Sequence, residues 1–179
     1  MEPLKIDASW TLFLDRDGVL NKNIEGSYVL DWEQFEFLPG VLEILPEFAK
    51  LFQRIIIVTN QQCIGKGLLT ETGLEEIHTH MLNLITLNGG RVDAVYFAPG
   101  LENEQNLLRK PKPGMALLAQ KNFPEINFQH AVMVGDKDSD IVFGKTVGMT
   151  TFYLSNSCEI NLSADYQIST LKELLTHLK

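Results

Sequence analysis

Cysteine is scarce in this 179-residue chain, which has Cys63 and Cys158 and no others. The two form no metal-type pair, so a cysteine-built metal module is excluded and a reducing compartment is indicated. Basic charge is short as well: 15 Lys and Arg face 23 Asp and Glu, a formal net charge of −8. That balance excludes a general binder of nucleic acid or anionic membrane, while a local basic site stays compatible with it. No apolar run is long enough to span a bilayer, and the first residues lack the basic-then-apolar layout of a signal peptide. Internal repeats and low-complexity segments are missing too. Neither GxxxxGK[ST] nor GxGxxG follows the first apolar run, which removes the usual nucleotide-binding loops. With 45% hydrophobic and 21% charged residues, the balance is that of an ordinary globular protein with a substantial core. The expectation is one cytoplasmic domain over 1–179.

What the chain does have is concentrated first in Trp10 to Asn21. Trp10 to Leu14 is apolar and aromatic, as a buried strand is, and it ends abruptly in Asp15 and Asp17. In an extended backbone residues i and i+2 point to the same side, so both carboxylates face one small volume. Charges held that close repel unless a cation or a phosphoryl group lies between them. Gly18 then permits a sharp turn. Taken alone, the same letters also describe a strand end closed by an Asx turn.

The later chain supplies more strand ends. Residues 19–38 read as an ordered loop rich in aromatics. Val41 to Phe52 has helical spacing with Pro46 inside it, predicting a helix that is kinked or starts late. Arg54 to Thr59 contains the β-branched run Ile55-Ile56-Ile57-Val58 and predicts a parallel strand covered on both faces. A helix follows, capped by Thr72 or by Thr70, with an apolar face from Leu74 to Ile85 and a stop at Gly89-Gly90. His78 and His80 lie on it two residues apart, a poor metal pair, and are expected at the surface. Val92 to Phe97 reads as a third strand. A polar loop to Lys112, a short helix from Gly114 to Asn122 and a fourth strand from Ala131 to Gly135 come next. A helix from Ile141 to Val147, a fifth strand from Thr151 to Leu154 and an amphipathic helix from Leu171 to Leu178 complete the reading.

Alternating strands and helices predict an α/β fold: a Rossmann-like open, mostly parallel sheet with helices on both faces. Ligands of such sheets bind outside the carboxyl ends of the strands. Those ends carry Asp15 and Asp17, then Thr59 and Asn60, then Asp136, while the Lys110 loop reaches the same mouth. A receiver domain shares this architecture, but its acidic acceptor ends the third strand, where this chain reads Tyr96-Phe97-Ala98.

In order and spacing, DRDGVLN, IIIVTNQ, RKPKPGM and VMVGDKDSD resemble the four motifs of the haloacid dehalogenase (HAD) superfamily of phosphohydrolases across nearly the whole chain. The resemblance implies Asp15 as nucleophile, forming an aspartyl-phosphate, and Asp17 as general acid and base. It implies Mg²⁺ held by Asp15, the Asp17 carbonyl and Asp136, with Asp140 rather than Asp138 supporting the site. Thr59, Asn60 and Lys110 would bind the phosphoryl group. Within the superfamily, GSYVLDWEQFEFLPGV, TNQQCIGKG and RKPKPGM look nearest to the heptose-bisphosphate and histidinol-phosphate phosphatases. Those relatives usually carry a zinc cluster of cysteines and a histidine before RKP. Here the matching stretches read Phe97-Ala98-Pro99-Gly100 and Asn106-Leu107-Leu108-Arg109, so no zinc is expected. No segment between the motifs suits a large cap domain, and a monomer can complete its own site. Arg109, Lys137 and Gln61, with Lys66, then surround an open mouth and favour a phosphorylated sugar, such as a bisphosphate, over the cationic amine of histidinol phosphate. A non-catalytic phosphate-binding module of the same fold is the alternative from another class.

Overall fold

The computed structural model describes residues 3–103, 106–156, 161 and 163–179. Its centre is a six-stranded sheet in the order β3-β2-β1-β4-β5-β6, with every pairing parallel. The strands are β1 (Thr11–Leu14), β2 (Arg54–Asn60), β3 (Ala94–Ala98), β4 (Ala131–Gly135), β5 (Thr150–Leu154) and β6 (Tyr166–Ile168). The helices are α1 (Val41–Leu51), the short α2 (Gln62–Gly65), α3 (Glu71–Leu87), α4 (Gly114–Asn122) and α5 (Asp138–Val147).

The apolar runs of the strands still alternate between two faces, because successive side chains leave a strand on opposite sides. Leu12, Leu14, Ile55, Ile57, Val132 and Val134 pack with Val41, Ile44, Leu45 and Phe48 of α1 and Ile77, Met81 and Ile85 of α3. Phe13, Ile56, Val58, Ala131 and Met133 pack with Met115, Ala116 and Ala119 of α4 and Phe143 of α5. Runs that are apolar throughout are what a sheet covered on both faces requires. The chain leaves β1 toward β2 and β3, then returns to β4 on the other side of β1. The carboxyl ends of β1 and β4 therefore flank the point where strand order reverses, and there a crevice opens.

Several local expectations change on the structure. Helix α1 runs through Pro46 from Val41 to Leu51. Thr70, not Thr72, caps α3, its Oγ1 accepting the Gly73 N–H at 3.0 Å. The final segment is a 3₁₀ helix over Leu171–His177 rather than an α-helix, and β6 adds a strand that the sequence reading lacked. His78 is buried rather than at the surface, whereas His80 is exposed and stacks on Trp32 with ring centroids 5.2 Å apart. Cys63 is a buried free thiol, and Cys158 lies outside the described residues. Among the described residues no helix is long and apolar enough to cross a membrane.

Candidate active site

Asp15 continues the β1 ladder beyond Leu14, its N–H donating to the Val134 carbonyl at 3.0 Å. That bond fixes the carboxylate at the β1–β4 crevice, where it is 4% exposed. Lys110 Nζ lies 2.8 Å from Asp15 Oδ1 and 2.7 Å from Asp140 Oδ1, and donates to the Val58 carbonyl at 2.8 Å. The lysine arrives from the loop before α4 because Asn60 clamps it. Asn60 Nδ2 donates to the Lys110 carbonyl at 3.1 Å, and Asn60 Oδ1 accepts the Lys110 N–H at 3.0 Å. Burial depresses the Lys110 ammonium, but Asp140 and Asp15 outweigh it and leave its pKa raised. Burial also lifts the Asp15 carboxyl to about 6 against the pull of Lys110, with Asp140 and Asp17 adding to the rise.

Asp17 faces the same mouth and is held by a dense set of donors. Arg16 Nη2 reaches Asp17 Oδ1 at 2.8 Å and Oδ2 at 3.0 Å, and Arg16 Nε reaches Oδ1 at 3.3 Å. Asn21 Nδ2 donates to Oδ1 at 3.0 Å and Gln61 Nε2 to Oδ2 at 2.7 Å. Burial pushes the Asp17 carboxyl up, but the Arg16 charge and these hydrogen bonds win and hold it below the usual range. Gln61 also donates to Thr59 Oγ1 at 2.9 Å. Its side chain is buried and is not among the residues lining the cavity described below. The sequence reading sets Gln61 against substrate; in the fold its amide N–H groups are engaged by Asp17 and Thr59.

The fourth motif folds back on itself. Asp140, at the third position of α5, turns toward the helix start, where its Oδ2 accepts the Lys137 N–H at 3.1 Å. Asp138 instead faces outward and accepts from Asn161 Nδ2 at 2.7 Å. Glycine is needed before Asp136, since a Cβ on Gly135 would lie 2.1 Å from Asp140 Cβ. Gly18, at φ +89°, likewise leaves room for Asp136, whose Oδ2 would sit 2.1 Å from an added Cβ. Asn23 Nδ2 donates to that Oδ2 at 2.8 Å.

Among the described residues one acidic group has metal-site geometry: Asp15, Asp136 and Asp140 each offer an oxygen, and these lie within 4.8 Å of one another. Asp136 Oδ1 is buried without a hydrogen-bond partner, and Asp140 Oδ1 has only its ion contact with Lys110. Burial raises the Asp136 carboxyl to about 6, and neighbouring Asp15 adds to this. Three clustered carboxylates, two of them paired with one ammonium and the third with an orphaned oxygen, fit a divalent cation bound by hard oxygen ligands.

A small pocket of about 30 Å³ is lined by Asp15, Asp17, Thr59, Asn60, Lys110, Lys137, Ser139 and Asp140. Beside it lies a cavity of about 560 Å³ that shares Asp17, Asn60, Lys110, Lys137 and Ser139 with it. Arg109, Lys112, Asn106, Asn23, Tyr28 and Glu102 line its outer part. Arg109 Nη1 is buried there without a hydrogen-bond partner. Lys66 donates to Tyr28 Oη at 2.7 Å and so braces the rim. Thus the structure brings Asp15, Asp17, Thr59, Asn60, Lys110, Arg109, Lys137 and Asp140 together on the pocket walls, with Asp136 in the acidic group beneath. Sequence reasoning passed over Arg16, Asn21, Asn23, Tyr28 and Ser139 and set His78 at the surface. Arg16 and Asn21 lie inside the first motif, where spacing alone draws the eye to the two aspartates.

The chain is similar to known proteins. Residues 107–158 match the HAD-hydrolase-like family. The chain is 36% identical over 138 residues to the D-glycero-alpha-D-manno-heptose-1,7-bisphosphate 7-phosphatase of Mycobacterium bovis, covering 77% of this chain and 73% of that protein. It is 31% identical over 176 residues to the D-glycero-beta-D-manno-heptose-1,7-bisphosphate 7-phosphatase of Helicobacter pylori, covering 97% of this chain and 99% of that one. The fold superposes on the D,D-heptose 1,7-bisphosphate phosphatase of B. bronchiseptica, crystallised with magnesium and phosphate, with a TM-score of 0.83. That match has 23% identity and covers 93% of this chain and 98% of the other.

Proposed function

The chain belongs to the HAD phosphatases, and from that premise we propose that it removes the 7-phosphate of D-glycero-D-manno-heptose 1,7-bisphosphate. The observation that carries the reading is a buried Asp15 seated between Lys110 and the acidic group, beside a cavity lined by Arg109, Lys110, Lys112 and Lys137 against Asp17 and Glu102. A wall with that cation excess suits a ligand bearing a second phosphate beyond the one being transferred.

Asp15 Oδ attacks phosphorus as the bond from phosphorus to the sugar oxygen breaks, and Asp17, protonated once the negative charge of the bound phosphate offsets the pull of Arg16, gives that proton to the departing alkoxide. Water then attacks the aspartyl-phosphate, Asp17 takes up the water proton, and phosphate leaves with Asp15 restored. Thr59, Asn60 and Lys110 hold the transferring group, and Lys110 also fixes the Asp15 carboxylate for attack. Asp15, Asp136 and Asp140, with the Asp17 backbone, would hold Mg²⁺, which supplies charge neutralisation at the phosphoryl oxygens. Arg109 and Lys137 hold the distal phosphate and sugar oxygens. The unpartnered Arg109 Nη1 supports that role. The whole chain acts as one cytoplasmic domain without a large cap, so specificity rests on the loops around the mouth.

The test is a panel of both anomers of the heptose bisphosphate, simple sugar monophosphates, histidinol phosphate and nucleotides, ranked by kcat/KM in Mg²⁺. A heptose bisphosphate should lead by about tenfold or more, the scale of one well-placed charged contact. Preference for histidinol phosphate would overturn the assignment.

A further inference from the structure

One buried cation near the site is not used by the chemistry above. Arg16 stands between the two aspartates and is 1% exposed, among the largest side chains with almost no exposure. Its Nε and Nη2 form a fork on the Asp17 carboxyl group. Nη1 points the other way, to His78 Nε2 at 3.1 Å, across 62 residues of sequence. A guanidinium can only donate, so His78 Nε2 must accept, and the imidazole is the neutral tautomer with its proton on Nδ1. The face of α3 that carries His78 is buried, and the His78 ring meets Phe97 edge to face with centroids 6.4 Å apart.

We infer that Arg16, seated on His78, is a positioning residue that sets the plane and reach of the Asp17 carboxyl group for proton transfer. The inference rests on the phosphatase reading and deepens it. A buried guanidinium left without an acceptor on one side is costly, so its orientation follows the acceptor that α3 provides. Gln61 and Asn21 also donate to the same carboxyl group, Gln61 from a loop and Asn21 from an isolated bridge to Phe37. The Arg16–His78 contact is the one that ties it to a long, well-packed helix. Site geometry looser by even an ångström is enough to lower rate sharply.

The closing experiment separates positioning from mere support of the fold. kcat/KM covers the steps through expulsion of the leaving group. In those steps the sugar alkoxide needs the Asp17 proton, and the weakly basic 4-nitrophenolate does not. His78→Leu should lower kcat/KM for the heptose bisphosphate by about tenfold and Arg16→Met by about 10²-fold, fractions of the range for a general acid. Both should change kcat/KM for 4-nitrophenyl phosphate by less than about threefold. His78→Gln, which keeps an acceptor for Nη1, should recover most of the loss. Should Arg16→Met fail to fold, the two His78 variants decide the matter. Equal losses on both substrates, or no loss in His78→Leu, would overturn the inference while leaving an active wild type as a phosphatase. A wild type inactive on both substrates would overturn the phosphatase reading and this inference with it.

Discussion

Lys110→Met tests whether the site is assembled around one buried ammonium. Methionine keeps most of the aliphatic stem and removes the charge. The lost contacts are the ion pairs at 2.8 Å to Asp15 and 2.7 Å to Asp140 and the hydrogen bond at 2.8 Å to the Val58 carbonyl. Breaking a buried pair costs about 3–5 kcal/mol because the other partner stays behind uncompensated. Here the lower end applies, about 3 kcal/mol at pH 7, because Asp15 already has a carboxyl lifted to about 6 and can take up a proton instead of staying charged. The loss should shrink toward pH 5, where that proton is bound more readily. It should also shrink in saturating Mg²⁺, since a second cation compensates the same carboxylates. Urea unfolding in EDTA and in Mg²⁺, at both pH values, measures all four arms. Turnover should fall by about 10²-fold or more, the scale of one lost electrostatic donor. A stability loss in EDTA below about 1 kcal/mol, the scale of an exposed pair, would refute the reasoning. So would turnover retained within about threefold of wild type.

Asp15→Asn should abolish phosphatase turnover yet leave stability in EDTA equal or higher, because it removes one charge from a crowded acidic group; urea titration and a phosphate-release assay check both halves. Thr70→Ala deletes the α3 cap and should cost about 1 kcal/mol in urea with little change in kcat. At Asp165, burial pushes the carboxyl up, but donation from Lys145 and Thr151 outweighs it and leaves the pKa lowered. A folded value below the unfolded one gives stability that is present above the unfolded pKa and lost as pH falls through the folded value. Asp165→Asn should therefore destabilise the protein at pH 6, and the two unfolding curves should converge as pH falls through and below the usual carboxylate range.

The sheet and most of the site were legible because their signals are local. Ile55-Ile56-Ile57-Val58 and Ala131-Val132-Met133-Val134 are too apolar and too short for anything but covered strands, and each ends in polar residues. Asp15, Thr59, Asn60 and Asp136 therefore lie where a parallel sheet exposes its carboxyl ends. The close approach of Asp140 to Gly135, by contrast, is seen only in the fold, where an added Cβ would meet the Asp140 side chain.

Other features depend on partners that only the folded chain supplies. β6 is a three-residue edge strand that pairs with β5 and has little periodicity of its own. Thr70 and Thr72 are equal caps by composition, and the one chosen depends on where the loop after α2 delivers the chain. The partners of Gln61 are set by the fold, which turns its amide inward to Thr59 and Asp17. His78 and His80 look alike on paper, but the register of α3 against the sheet buries one beside Arg16 and leaves the other on Trp32. Local sequence, through strand and turn preferences, determined which residues could do chemistry. Tertiary structure decided which of the remaining polar groups were buried, and thus which of them hold the acting ones in place, because burial and hydrogen-bond partnership are properties of contacts between distant segments.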